Sequence, residues 1–281
     1  MDFQQGQDFL AGLSEVQSIL PFSPVLIRDL FILTAEDSLG SLADVARAVN
    51  RDPGLSAAIL KTANSAYYGL QSQISTLDRA VSILGMKEIR TMVLFVALRS
   101  VNKRIDPNDF DLESFWRHGF AVALTARTVA NVLEHRDPSI IYTAGLLHDM
   151  GKLFTVLLRP DHWRAINVLA VKDGVPLLEA EEAHWGIDHA LIGALALRSW
   201  NLPDEITEPI SWHHAPLSAP AFQEASAILC LADGLVLTGP DAVDDERRIL
   251  ASLTGKDRTD AAVAAAAECL DGGASVHGVL F

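Results

Sequence analysis

Cysteine is nearly absent from this 281-residue chain, and the two that occur, Cys230 and Cys269, lie in segments with helical periodicity. A disulfide framework is thereby excluded, and both thiols are expected to be reduced, buried and inert. Basic residues are also scarce: 22 Lys and Arg stand against 36 Asp and Glu, a formal net charge of −14. Such a field repels DNA, RNA and anionic membrane surfaces, although a metal with one or two local cations can still hold a small phosphate ester. No apolar run is long enough to span a bilayer; the longest, near Met92 to Leu98, sits between Arg90 and Arg99. The N-terminus Met1-Asp-Phe-Gln-Gln lacks a charged-then-apolar signal pattern, so a cytoplasmic location is expected. Nor does any stretch alternate apolar and polar residues long enough to argue for a sheet.

What is present is helix. An apolar content of 49% can fill a real core, and the periodicity is helical nearly throughout, which predicts an all-α protein. Asp52-Pro53 followed by Leu55, Ile59 and Leu60 reads as an N-cap, a proline at the first helical position and an apolar stripe. Ser41-x-x-Asp44 and Ser75-x-x-Asp78 resemble capping boxes, and Gly69 and Gly85 are plausible stops. The polar stretch Asn102-Lys-Arg-Ile-Asp-Pro-Asn-Asp109 separates an N-terminal helical subdomain, 1–101, from a larger helical part, 109–281. Ala261 to Ala267 is an alanine-rich helix candidate in an acidic tail expected to pack back on the core. The segment from Leu42 to Leu60 superficially resembles a helix-turn-helix. Its second helix offers only Ser56 before Lys61 to meet a base edge, so compact packing is the better reading and no DNA partner is expected.

The second part carries the chemistry. In Ala144-Gly-Leu-Leu-His148-Asp149-Met-Gly151-Lys152, an adjacent His-Asp pair on an apolar helix precedes a lysine by one turn, so all three can share one face. That is half of a metal site with a cation beside it. His118 lies in the apolar segment Phe115-Trp-Arg-His-Gly-Phe, and His189 sits just inside a helix whose expected N-cap is Asp188. His213-His214 ends Leu202-Pro-Asp-Glu-Ile-Thr-Glu-Pro-Ile-Ser-Trp, and Asp233 interrupts Ile228-Leu-Cys-Leu-Ala-Asp-Gly-Leu-Val-Leu, where a carboxylate needs a partner. Seven N and O ligands on five segments can hold two metals about 3.5 to 4 Å apart. The alternative is a polar network of buried histidines and aspartates that only fixes helix packing. His135, His162, His184 and His277 fall outside the pattern and read as surface or packing residues; Trp185, Trp200 and Trp212 read as core.

The order His118, His148-Asp149, His189, His213-His214, Asp233 resembles the HD superfamily of metal-dependent phosphohydrolases and, within it, the HDOD group of bacterial signalling proteins. Leu20-Pro-Phe-Ser-Pro-Val, Arg51-Asp-Pro-Gly-Leu, Ala63-Asn-Ser-Ala-Tyr-Tyr-Gly, Ala80-Val-Ser-Ile-Leu-Gly, Gly145-Leu-Leu-His-Asp-Met-Gly-Lys and Trp200-Asn-Leu-Pro carry the likeness, from about Leu20 to Leu237. The resemblance implies an HD-like helical bundle after a smaller N-terminal subdomain. It also implies a mono- or dinuclear divalent metal, iron, manganese or magnesium with zinc as a further candidate, bound by His118, His148, Asp149 and Asp233 with His189, His213 and His214 as extra ligands. Asp149 and Lys152 would be the catalytic pair if the site hydrolyses a phosphoester, Lys152 steadying the phosphate. Two departures from the cyclic-dinucleotide phosphodiesterases of the superfamily stand out: Ala-Pro-Leu-Ser-Ala-Pro after His214 in place of a Gly-Tyr-Pro segment, and Ser114 where some members place a glutamate ligand.

Two functions therefore remain. One is a signalling module that binds metal, with a nucleotide or a protein partner; the other is a metal-dependent phosphohydrolase or phosphodiesterase acting on a nucleotide or second messenger. The resemblance favours the first. The sequence contains no receiver, kinase or cyclase segment, so any input signal is expected from elsewhere, and a homodimer through the N-terminal helices is a further expectation.

Overall fold

The computed structural model describes residues 40–50, 53–64, 74–86, 88–89, 92–93, 105–200 and 202–271, with positions 6, 9, 11, 12 and 33. Among the described residues there is helix and no strand, and no helix is long and apolar enough to cross a membrane. The chain divides into two compact units. The smaller holds the described residues between 33 and 93 with Trp200 and Leu202; the larger holds Ile105–Ser199, the described residues from Pro203 on, and positions 6, 9, 11 and 12.

In the smaller unit, α1 (Leu42–Asn50), α2 (Pro53–Ala63) and α3 (Leu77–Leu84) pack around Val45, Val49, Ile59, Ala63, Ile74, Leu77 and Val81, all buried. A reciprocal capping box opens α1: Ser41 Oγ accepts from Asp44 N at 3.2 Å, and Asp44 Oδ2 accepts from Ser41 N at 2.9 Å. Helix α3 starts one residue later than the sequence suggests. Its N-cap is Thr76, whose hydroxyl accepts from Arg79 N at 3.3 Å, because the capping oxygen must belong to the last residue with extended backbone. Gly85 ends α3 at φ +83. Asn64 holds the chain beyond α2, accepting from Ile74 N and donating to Ile74 O, both at 2.7 Å. Ser56 donates to Val49 O at 3.3 Å, the packing role anticipated for the segment that resembles a helix-turn-helix. The expected cap at Asp52, the stop at Gly69 and His277 lie outside the described residues.

The larger unit is built on α4 (Leu112–Val132), capped by Asp111, whose carboxylate accepts from Ser114 N at 3.0 Å. Packed on α4 are α5 (Pro138–Leu147), α11 (Gln223–Thr238) and α13 (Lys256–Asp271). Around them run α6 (Met150–Leu158), α7 (Pro160–Asp173), α8 (Leu177–Trp185), α9 (His189–Ser199), α10 (Asp204–Trp212) and α12 (Asp244–Thr254). The alanine-rich tail does pack back: Ala262, Val263 and Ala266 of α13 are buried, and Arg258 donates to Leu133 O at the end of α4. Both cysteines are free and half-buried rather than fully buried, and burial pushes the Cys230 thiol up to about 12, consistent with an inert group.

Small residues set two close helix approaches. A Cβ on Gly145 of α5 would lie 2.8 Å from Ala123 Cα of α4, and a Cβ on Gly151 of α6 would lie 1.9 Å from His189 O of α9. Only hydrogen fits at either position. The first approach brings α4 and α5 together beside His118 and His148; the second sets the start of α9 against α6, beside Asp149.

Candidate metal centre

His148 and Asp149 do not continue one helix, contrary to the expectation of a shared helical face. His148 closes α5 and Asp149 opens α6, with both residues in a turn. The break turns the two side chains toward a common space, which a continuous helix would place about 100° apart. Lys152 still returns to Asp149, its Nζ donating to Oδ2 at 2.7 Å. His189 begins α9 as expected, with Asp188 Oδ1 accepting from Leu191 N at 2.7 Å. His213 and His214 follow α10, and Asp233 stands within α11.

All seven sequence-selected residues come together. His118 Nε2 lies 3.0 Å from Asp233 Oδ1, 3.3 Å from His148 Nε2 and 3.6 Å from Asp149 Oδ2. On the other side of Asp149, His189 Nε2 lies 3.2 Å from Oδ1 and 3.0 Å from His214 Nε2. Three overlapping donor sets result: His118, His148 and Asp233; His148, Asp149 and His213; His189, His213 and His214, each with its ligand atoms within 4.8 Å of one another.

Hydrogen bonds fix the orientation of three rings. His148 Nδ1 donates to Gly145 O at 2.8 Å, His213 Nδ1 to Ile210 O at 2.7 Å, and His189 Nδ1 to Glu181 Oε2 at 2.6 Å. A carbonyl or carboxylate oxygen only accepts, so each Nδ1 carries its proton, and each ring, when its other nitrogen is free of a proton, offers the Nε2 lone pair to the centre. Asp149 Oδ1 and Asp233 Oδ1 face only the ring nitrogens of His189 and His118, and His213 Nε2 is buried without a hydrogen bond, a costly state for a polar atom. Nitrogen separations of 3.0 and 3.3 Å match neighbouring ligands on a cation with bonds of about 2.1 Å. The residues fit a metal.

The electrostatics favour ionised carboxylates and a neutral His213, whereas His148, against its burial, is raised by Asp149 and Asp233, so that His148 and His189 must each lose a proton to ligate. Burial disfavours a charged Asp149, but His148 and Lys152 hold its carboxyl well below the usual carboxylate range; Asp233 is held down in the same way by His118 and His148. His213 is pushed well below the ordinary imidazole value by burial and then by His214, so it is neutral and ready to ligate. For His189, burial and Lys152 oppose the charge, but Glu181 and Asp149 overcome them and raise it to about 9.

Glu181 was not among the sequence-selected residues. It stands among Glu179, Glu181 and Glu182 in an acidic helix, and only its phase distinguishes it: it lies four residues before the buried Trp185, on the apolar stripe of α8. Of the histidines outside the cluster, His162 Nδ1 and His184 Nε2 pair at 2.9 Å, with His162 stacked on Trp185, and His135 Nδ1 accepts from Asp137 N at 3.2 Å. Trp185 and Trp200 are buried as core residues; Trp212 is half-buried.

The HDOD domain model matches residues 20–216. The chain belongs to the HDOD family. A protein from Shewanella amazonensis SB2B, provisionally designated a phosphohydrolase, is 30% identical over 94% of each chain, with a TM-score of 0.72. An HDOD domain protein of unknown function from Geobacter sulfurreducens is 25% identical, again over 94% of each chain, with a TM-score of 0.73. An uncharacterised protein from Treponema pallidum is 24% identical over 182 residues, and the chain spans 34% of that relative's length. Asp233 lies beyond the matched HDOD span, and its place in the cluster, expected from the sequence, is seen in its 3.0 Å approach to His118.

Proposed function

We propose that this chain is a regulatory HDOD module in which His118, His148, Asp149, His189, His213, His214 and Asp233 hold one or two divalent cations, and whose metal-bound state is read by a protein partner or a nucleotide. The observation that carries the reading is the convergence of five Nε2 atoms and two carboxylates, with three of the rings oriented through Nδ1. Nitrogen-rich donors without thiolate favour iron, manganese or zinc over magnesium, which prefers oxygen and water. Asp149 is placed to serve both sides, with Oδ2 toward His118 and His148 and Oδ1 toward His189.

A second reading is favoured by the provisional designation of the Shewanella relative: a metal-dependent phosphohydrolase or phosphodiesterase for a nucleotide or second messenger. The bound cations would supply Lewis acidity and lower the pKa of water. In the described arrangement Lys152 Nζ donates to Asp149 Oδ2 at 2.7 Å, and an ammonium with three N–H donors could meet a phosphate at the same time. The HDOD match and the lack of a Gly-Tyr-Pro segment after His214 support the regulatory reading over the hydrolytic one.

The test is metal content by elemental mass spectrometry on untagged, chelator-free wild type and Asp149→Ala, followed by a screen of nucleotides and phosphodiesters. About one or two equivalents in the wild type, lost in the variant, with no turnover, is the expected result. Turnover abolished by Asp149→Ala would favour the hydrolase. Metal absent from the wild type after anaerobic reconstitution with iron and manganese would sink both.

A further inference from the structure

Glu181 is a charged residue with no exposed surface. A carboxylate is costly to bury unless opposing charge and donors meet it. Here a single oxygen, Oε2, receives both donors: His189 N at 3.0 Å and His189 Nδ1 at 2.6 Å. The other, Oε1, is buried without a hydrogen bond. The chain geometry makes this grip local. Helix α8 ends at Gly186 in the left-handed region, φ +77, and the short turn through Ile187 and Asp188 brings the first residue of α9 back beside Glu181. His189 is thus held at backbone and ring by one carboxylate, while its Nε2 faces Asp149 and His214.

We propose that Glu181 is a positioning residue for His189: by fixing the proton on Nδ1 and the ring's orientation, it sets the metal affinity of the side of the centre formed by His189, His213 and His214. The proposal rests on the metal reading above and adds a residue that the order of histidines and aspartates does not contain. A carboxylate on the remote ring nitrogen also increases the basicity of the ligating one, and loss of such a partner typically costs about 10–100-fold in metal affinity.

The experiment compares wild type, Glu181→Gln and Glu181→Ala. In the metal-free proteins, with ¹⁵N-labelled histidine, the wild type should show a strongly downfield Nδ1–H proton resonance assigned to His189. It should be weakened in the isosteric Gln variant and lost in the Ala variant. In competition titrations with Mn(II) and Zn(II), affinity should fall in the order wild type, Gln, Ala, by about 10–100-fold for Ala. Loss should fall on the tightening provided by His189, so His189→Ala combined with Glu181→Ala should be no weaker than His189→Ala alone. A merely structural role would lower thermal stability without this resonance change or the non-additivity. Should the Ala variant fail to fold, the Gln variant decides. Variants that bind metal as the wild type does, with the Nδ1–H resonance unchanged, would overturn the proposal while leaving the metal centre intact. A wild type that takes up no metal would overturn the metal reading and the affinity claim with it, even if the resonance responds to Glu181.

Discussion

The two units hide opposite kinds of interior. Around Val45, Val49, Ile59 and Val81 the smaller unit buries aliphatic side chains that need only close packing. In the larger unit, the space between α4, α5, α6, α9, α10 and α11 holds His148, Asp149, His189 and His213, all nearly inaccessible, with His213 Nε2 lacking a hydrogen bond. An apolar core is complete in itself. A buried polar centre is costly unless its groups are paired or bind something, which is what the proposed cations would supply.

The strongest way to break this contrast is to remove the shared carboxylate. Asp149→Ala is expected to lower metal affinity by at least about a hundredfold, read by competition titration, because the set of His148, Asp149 and His213 loses its carboxylate, the carboxylate oxygens between His118 and His189 are gone, and Lys152 loses its anion. Retained metal in this variant would refute the shared role. The counterpart in the smaller unit is Ile59→Ala, at a fully buried position. It should cost about 2 to 5 kcal/mol in denaturant unfolding and leave metal stoichiometry unchanged. A variant that loses metal in proportion to its lost stability would show that the two interiors are not independent.

Gly151→Ala sits between these cases. The added methyl would meet His189 O at 1.9 Å, so α6 and α9 must separate and His189 must move with α9. Overpacking of this kind costs about 1 to 3 kcal/mol, and about a tenfold loss of metal affinity should accompany it. A variant with the stability loss but full affinity would mean that the helix contact does not place the ligand.

A pH series sharpens the contrast further. Because folding raises His189 from 6.5 to about 9, its contribution to the stability of the metal-free protein is fully present below about pH 6.5 and is lost as pH rises through about 9. The decline is expected to be on the order of 1 to 3 kcal/mol in chelator-treated protein. Stabilisation by added metal should change in the opposite direction, growing with pH as the competing proton leaves. Urea midpoints at pH 6.5, 8 and 9 with and without Mn(II) would reveal this; parallel curves would deny His189 its raised value.

How much of this was legible depended on what each signal measures. The all-α class follows from periodicity, and the seven residues that converge are marked by type, by chain order and by the resemblance to HD and HDOD proteins. Their meeting required two close helix approaches at Gly145 and Gly151, which sequence spacing marks only as two glycines near a His-Asp pair. The break between α5 and α6 was missed because the apolar pattern continues across it: Leu146, Leu147, Met150 and Leu153 are all buried whether the helix is one or two. Glu181 was missed for a related reason. Acidic residues normally mark the solvent face, and the buried one among three differs from its neighbours only in helical phase.

The start of α3 is the smallest discrepancy and gives the finest test. A serine at 75 followed by an aspartate at 78 fits the capping-box pattern, whereas Thr76, followed three residues on by Arg79, can supply only its hydroxyl; what decides is which residue keeps extended backbone when Leu77 must enter the core. Leu77 is 3% exposed and Thr76 has φ −132 and ψ 148, so the register of the apolar stripe places the cap at Thr76. Thr76→Ala should therefore cost about 1 kcal/mol, whereas Ser75→Ala should shift the unfolding midpoint by no more than about a third of that, as expected for a surface change away from any cap. Equal effects would mean that the helix opens at Ser75, and that the pattern of side-chain oxygens, rather than burial of Leu77, sets where α3 begins.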